Sequence, residues 1–390
     1  MLIELIRIAY GTPPELEIWR IIERNTDKRF DRDIDAAFRW SWKNEYDPHP
    51  DYARFKALLY LRLDPLFFAY FDDHTENARI RLDEIRWGGV YRDGIPPLDH
   101  PKMIPAEEAT YLRDRHVVFG IEINGDARAY PKRILAWHEM FKDVVGGVSV
   151  NGVYCTLCGT VILYKTEFEG QHHELGTSGF LFRSNKLMYD HATESLWNTI
   201  EGEPVVGPLV GKGIKLEALS VVTTTWREWK KRHPDTTVLS LNTGHNRDYG
   251  EGVAYRDYFA TDKLMFSTPF QDRRMRNKDE IFALRFGSPS DKPKAYSVKF
   301  LNKRKVVQGT HGGTPYVLIA DESGAIRAYE SGGRKFSLRQ KRIVDESETV
   351  WNMEEDALTN EEGLQLKRLP SHRAFWFGWL AAFPDTELVK

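Results

Sequence analysis

The chain has 390 residues, more than one ordinary hydrophobic core accommodates, and 41% of them are hydrophobic and 13% aromatic, which excludes a disordered protein. Its 55 Lys and Arg nearly balance 57 Asp and Glu with no long block of one sign, which excludes a nucleic-acid footprint or a polybasic membrane patch. The 2 cysteines are too few for a disulfide framework or a four-thiolate zinc site.

The opening "MLIELIRIAYG" carries Glu4 and Arg7 inside its apolar stretch and has no small-residue cleavage site, so it does not read as a signal peptide. As given, the chain reads as soluble and cytoplasmic; with an upstream leader removed it would read as extracytoplasmic. "PELEIWRIIERN" and "YARFKALLYLRLDPLFFAYF" place apolar residues at helical spacing, with Pro13 and Pro14 at a helix start, and predict a helical N-terminal region over residues 1–78. No apolar run, "DPLFFAYF" included, approaches the roughly 18 residues of a membrane span. From Ile80 onward the texture turns to short β-type runs, such as "VVFGIEING", "GVSVNGVYC" and "TVILYKTEF", broken by Gly, Pro and Asp.

These runs belong to an internal repeat. "VFGIEINGDARAY", ending at Tyr130, is echoed by "IFALRFGSPSDKPKAY", ending at Tyr296, and "LWN" at Leu196 recurs as "VWN" at Val350. "WREWKKRHPDTTVL" from Trp226 matches "WFGWLAAFPDTELV" from Trp376 at W-x-x-W and at Pro-Asp-Thr. "VYCTLCGTVILYK" pairs without gaps with "LIADESGAIRAYE", which sets Gly159 on Gly324, Cys155 on Ala320 and Cys158 on Ser323. The second copy reads as an ordinary hairpin around Asp-Glu-Ser-Gly. On that alignment the scaffold does not need thiols, so the cysteines are expected to serve something besides folding. The paired tryptophans recur in both copies and read as core.

Cys-x-x-Cys-Gly on a turn followed by "TVILY" has the shape of a metal knuckle between strands. A thioredoxin-type pair would stand at a helix N-terminus instead. His138 in "AWHEMF" is the candidate third ligand, since the second copy has no histidine near Arg304. Glu139 would orient it or face solvent. Met188 in "RSNKLMYDHATESLW" is the candidate fourth ligand, with His191 as its rival, and His172 and His173 in "EGQHHE" read as an exposed loop. Two thiolates, an imidazole and a thioether suit copper; two thiolates and an imidazole with an open position suit zinc or a copper that meets oxygen. "NTGHNRDYG", with His245, Arg247, Asp248 and Tyr249, follows the first copy's last strand and has no match in the second copy, which ends with the chain. It reads either as a substrate loop, with Arg247, Asp248 and Tyr249 as candidate catalytic residues, or as a turn held by an Arg-Asp pair. There is no P-loop, dinucleotide fingerprint, H-E-x-x-H or G-x-S-x-G.

Taken together, "INGDARAYP", "WHEMFKDVVGG", "YCTLCGTVILY", "SGFLFRSNKLMYD", "TESLWN", "GPLVGKGI", "TTWREWKKRHPDTTVLSL" and "RDYG" resemble the DUF3179 family of bacterial and archaeal proteins, over roughly residues 79–390. The resemblance implies that Trp137, His138, Glu139, Cys155, Cys158, Gly159, Ser184, Asn185, Met188, Tyr189 and Asp190 fall in the family's signature blocks. It implies kinship, not an activity. Members of the family often look exported, whereas this chain reads without a leader.

The expected fold is mainly β within an α+β class, with two pseudo-duplicated β-rich units and short rim helices. The expected division is 1–78 helical, 79–275 the first unit with the cysteine turn, and 276–390 the second. The expected function is a metal-binding redox protein, copper before zinc, held by Cys155, Cys158, His138 and Met188, and an oxygen-dependent oxidase of a small substrate in its enzymatic form. Its rivals are a metal-free thiol-disulfide oxidoreductase and a noncatalytic metal carrier or zinc-knuckle scaffold. Partners would be a small-molecule substrate or a redox partner, not nucleic acid, and the duplication is compatible with a monomer.

Overall fold

The computed structural model describes residues 1–72 and 76–390. It is β-rich with short helices, and it forms two compact units, each assembled from separated stretches of chain: Met1–Ile95, His173–Lys215 and Leu264–Gln271 in the first, Pro96–His172, Leu216–Lys263 and Asp272–Lys390 in the second. The expected boundaries at 78 and 275 follow the repeat along the chain, whereas compactness groups the N-terminal helices with a sheet from the middle of the sequence. No helix among the described residues is long and apolar enough to cross a membrane.

In the first unit, helices Leu2–Ala9 and Tyr52–Leu61 share a core with an antiparallel sheet of Ile85–Trp87, Leu175–Phe182, Asn185–Asp190, Leu196–Asn198 and Glu203–Val206, while Pro14–Thr26 and Ile34–Ser41 pack with Leu2–Ala9 in a separate cluster around Ile6, Trp19, Ile22 and Ala37. Phe180 of the sheet meets the edges of Tyr60, Phe67 and Phe71 at ring distances of 4.9, 4.8 and 5.2 Å. The run read as one helix through Phe71 breaks after Leu61, because Pro65 has no N–H to continue it and the Asp64 carboxylate accepts from Leu66 N instead. Buried Lys56 is neutralised by Glu4 at 2.6 Å, and the Tyr52 hydroxyl donates to the same carboxylate at 2.6 Å. Removing either charge would strand the other in the core.

The second unit carries the repeat. The first copy runs β1 (Val117–Ile123), β2 (Asp126–Pro131), α1 (Lys132–His138), β3 (Met140–Val145), β4 (Val148–Cys155), β5 (Thr160–Lys165), then β6 (Val222–Thr225), α2 (Trp226–Arg232) and β7 (Thr237–Leu239). The second runs β8 (Glu280–Leu284), β9 (Lys294–Ser297), α3 (Val298–Arg304), β10 (Val306–His311), β11 (Thr314–Ala320), β12 (Ile326–Glu330), then β13 (Ser371–Phe375), α4 (Trp376–Ala382) and β14 (Glu387–Val389). The pairing is the same in both: β6 is antiparallel to β1 and β7 parallel to β2, as β13 is antiparallel to β8 and β14 parallel to β9. Between the fifth and sixth strands each copy inserts an antiparallel meander, 175–206 in the first unit and 337–367 in the second.

The recurring motifs have a physical role. Trp226, Trp229, Trp376 and Trp379 are buried, and the indole N–H groups of Trp229 and Trp379 donate to Thr236 and Thr386, each at 2.9 Å. The Thr of Pro-Asp-Thr is thus the partner that lets an indole sit in the core without an unpaired donor.

The two copies also exchange turns. Phe375 N, at the end of β13, donates to Cys158 O at 2.7 Å, so the first copy's β4–β5 turn rests on the second copy's outer strand. Reciprocally, the Ser323 hydroxyl of the β11–β12 turn lies 3.1 Å from the Thr224 hydroxyl on β6, and Ala325 packs in one cluster with Val222, Trp226 and Trp229.

Candidate functional site

The structure corrects the alignment of the two turns. Glu139 and Lys305 end their helices with positive φ (56° and 64°), and each bends the chain so that its carbonyl accepts from the next hairpin. The donors are Tyr154 N and Ala320 N, both at 2.8 Å, so Tyr154 is the counterpart of Ala320. Beyond the turn, Val161 pairs with Tyr154 as Ile326 pairs with Ala320. The first copy's turn is therefore one residue longer, and Cys155 stands where Asp321 stands, not Ala320, while Cys158 keeps its place at Ser323.

That shift changes what the pair means. Cys155 and Cys158 are joined by a disulfide. In the second copy the Ser323 hydroxyl donates to the Asp321 carboxylate at 2.6 Å, and Ala325 N donates to the same oxygen at 3.0 Å. Both turns are cross-braced at equivalent positions, one covalently and one by hydrogen bonds. The second copy's turn thus folds without thiols but not without a brace at these positions.

The sulfurs lie in a closed environment. Cys155 is 2% exposed and Cys158 fully buried. The Tyr258 hydroxyl donates to Leu157 O, inside the Cys-x-x-Cys turn, at 2.8 Å. Gly159 has φ +60°, and a Cβ there would lie 3.0 Å from the Phe375 ring, so glycine is needed for both the turn and the contact with β13. The Thr156 hydroxyl is buried without a hydrogen-bond partner among the described residues.

His138 is the last residue of α1 and is fully buried. Its Nδ1 lies 2.9 Å from the Pro96 carbonyl, which can only accept, so Nδ1 carries the proton. Nε2 therefore presents its lone pair, and the Tyr249 hydroxyl donates to it at 2.6 Å. Thr243 Oγ1 lies 2.6 Å from the Tyr249 oxygen and extends the chain of hydroxyls. Burial holds the imidazole down to about 4, against the opposing pull of the Pro96 carbonyl and with smaller help from His245 and Arg247, so the ring is neutral at pH 7. Glu139 accepts from the Tyr255 hydroxyl at 3.1 Å.

The loop after β7 thus touches both candidates, through Tyr249 to His138 and through Tyr258 to the cysteine turn. It is held by Trp137, whose indole N–H donates to Asp248 O at 2.8 Å, and by Arg133, which binds the carbonyls of Tyr249 and Tyr111. Of the three loop candidates only Tyr249 is buried. Asp248 and Arg247 are exposed; the Asp248 carboxylate caps Gly250 N at 2.8 Å, and Arg247 lies over the Trp137 ring at 6.0 Å.

Met188 belongs to the first unit, in the strand Asn185–Asp190, where it is fully buried opposite Thr177 and Trp197. His172 is exposed, but His173 is not the loop residue expected: it is 1% exposed and 3.1 Å from buried Asp190. No group of three or more His, Cys, Asp or Glu placed to hold a metal occurs among the described residues. Pro96, Thr243, Tyr255, Tyr258 and Phe375 were not marked by the sequence. Only the aromatic pair Tyr255 and Tyr258, three apart in "AYRDYF", left a signal there.

A sequence-family model described as "Protein of unknown function (DUF3179)" matches residues 92–386. The chain belongs to that family. No curated protein and no solved structure matches it. The matched part of this DUF3179 chain holds the first copy of the repeat and the second up to its last strand, with the cysteine turn, His138 and the Tyr249 loop, and leaves the N-terminal helices outside.

Proposed function

We propose that the chain is a redox protein whose working group is the Cys155–Cys158 pair, cycling between disulfide and dithiol. One observation carries this reading: the residues that break the internal symmetry, His138 against Arg304, Glu139 against Lys305, and the cysteines against Asp321 and Ser323, are joined through a single loop by Tyr249, Tyr255 and Tyr258. Specialisation of one copy while the other keeps a hydrogen-bonded turn supports a site in the first.

In the reductive direction two small thiols supply two electrons and two protons. The Cys155–Cys158 bond breaks, a new S–S bond forms between the two thiols, and both cysteine sulfurs end protonated. Small thiols are favoured as co-substrates because the sulfurs are at most 2% exposed, which denies a protein thiol its line of attack.

The oxidation state of the pair also sets what else it can bind. A disulfide has no thiolate to offer, so copper, or zinc as the alternative, would be held only by the reduced pair with His138 as third ligand. The observation favouring this second reading is the tautomer of His138, with Nδ1–H anchored on a backbone carbonyl as is common in ligating histidines; the Nε2 lone pair now accepts from the Tyr249 hydroxyl and would have to be released to a metal. Bound there, copper would supply one-electron exchange with a donor or with oxygen.

The experiment is a redox titration by thiol alkylation in buffers of defined thiol-disulfide ratio. A reversible two-electron midpoint between about −120 and −270 mV is expected; a value below about −300 mV is that of a structural brace and sinks the redox reading. Elemental analysis of the reduced protein after copper supply decides the second reading. About one equivalent, lost in Cys155→Ser and in His138→Ala, is expected if the metal is held there; no metal in the wild type removes it.

A further inference from the structure

Away from the cysteine turn, the second unit contains a cavity of about 470 Å³, between α2 of the first copy and the β11–β12 turn and 337–367 meander of the second. Its size falls within that of small-ligand sites. Its inner wall is apolar: Ile319, Ala320, Ile343 and Trp351 are all buried and line it.

The rim is charged with an excess of cations. Lys231, Arg232, Lys305, Lys341 and Arg342 line it against Glu228, Asp321 and Glu322. Most of these charges are already committed. Arg232 bonds Glu228 at 3.1 Å and Met353 O at 2.9 Å, and Lys305 Nζ donates to Asp321 O at 2.9 Å. Arg342 has no ion pair among the described residues. Glu322 is the telling group: Lys341 lies 2.7 Å from it and holds its carboxyl below the ordinary value, with weaker pulls from Lys231 and Lys305. One carboxylate of the chain sits where several cations converge. It is 70% exposed and its Lys341 partner 80%, so water already competes for the pair and an incoming anion displaces it at little cost.

We propose that this cavity binds a small organic anion, with an apolar body against Ile343 and Trp351 and an acidic head that takes the place of Glu322 beside Lys341 and Lys231, with Arg342 adding to the positive rim. A cation is disfavoured by the rim, and a purely inorganic anion would leave the apolar wall unused. The claim stands apart from the cysteine chemistry and does not depend on it.

The test uses the full oxidised chain and the probe 8-anilinonaphthalene-1-sulfonate, titrated by fluorescence with melting curves recorded alongside. Saturable binding with a rising melting temperature is expected, because the probe then binds the folded state. Lys341→Ala with Arg342→Ala should weaken it about tenfold, and Glu322→Gln should tighten it by about threefold. Met353→Trp, which fills the cavity, should abolish it. N-phenyl-1-naphthylamine, the same body without the sulfonate, should bind about tenfold more weakly. Fluorescence without a rise in melting temperature, equal binding of the neutral analogue, or affinity indifferent to both the charge and the filling variants would overturn the proposal.

Discussion

Reducing the Cys155–Cys158 bond should destabilise the protein by an amount that can be worked out and checked two ways. The bond closes a loop of sequence separation 3. A loop that short removes only roughly 6 cal/mol/K of chain entropy from the unfolded ensemble, or about 2 kcal/mol at 25 °C. A thermodynamic cycle links this to electrochemistry: whatever the bond adds to folding, folding adds to the bond. Since about 30 mV corresponds to about 1.4 kcal/mol for two electrons, the native pair should have a potential about 40 mV below that of the same pair in the unfolded chain. The assay is urea unfolding of oxidised and reduced protein, with redox titrations in native and denaturing buffer. The expected result is a stability loss near 2 kcal/mol, about 4–8 °C in melting temperature for a unit of this size, matched by the difference between the two potentials. Equal stability of the two forms, or a potential difference of the opposite sign, would refute the reasoning.

Three further outcomes follow from the same geometry. The folded pKa of His138 is depressed to about 4 from an ordinary value near 6.5, so the stability it contributes is present above about 6.5 and lost as pH falls toward 4; unfolding free energies from urea at pH 7.5 and 4.5 should differ by about 2–3 kcal/mol more in the wild type than in His138→Gln, and an equal pH slope would contradict this. Tyr249→Phe removes a donor from the neutral ring's lone pair and should raise the His138 pKa, read from its ring protons by NMR; a fall would mean that the hydroxyl accepts rather than donates. Trp229→Phe and Trp379→Phe should each lose about 1–2 kcal/mol from the missing indole–threonine bond, and the double variant should lose the sum, since each tryptophan is paired with its own threonine.

The duplicated architecture was legible because its markers are packing devices. A W-x-x-W helix followed by Pro-Asp-Thr recurs wherever an indole must be buried with its N–H satisfied, so the pattern survives in both copies. Turn length left no such mark: a gapless alignment fixed Gly159 on Gly324 correctly and misplaced Cys155 by one residue, because only the bonds from Tyr154 N and Ala320 N reveal the extra residue. His173 looked exposed among polar neighbours because its partner, Asp190, lies 17 residues further on. In the site, Cys155, Cys158 and His138 could be singled out by their absence from the second copy, and Tyr249 lay in a loop already suspected. The carbonyl of Pro96, which fixes the tautomer of His138, is a backbone group that any residue could provide and so carries no sequence signature.

The exchanged turns make the two copies depend on each other. Each copy lends its β-hairpin tip to the other's outer strand, Cys158 O to Phe375 N in one direction and Ser323 to Thr224 in the other. A solitary copy would leave a strand edge and a hairpin tip without partners, and both would be met by the same surfaces of an identical molecule. The arrangement is the one that a two-fold dimer of identical copies would have, held here within one chain. Within one chain the halves need not be identical: one carries the Asp321–Ser323 brace and the other two thiols joined as a disulfide.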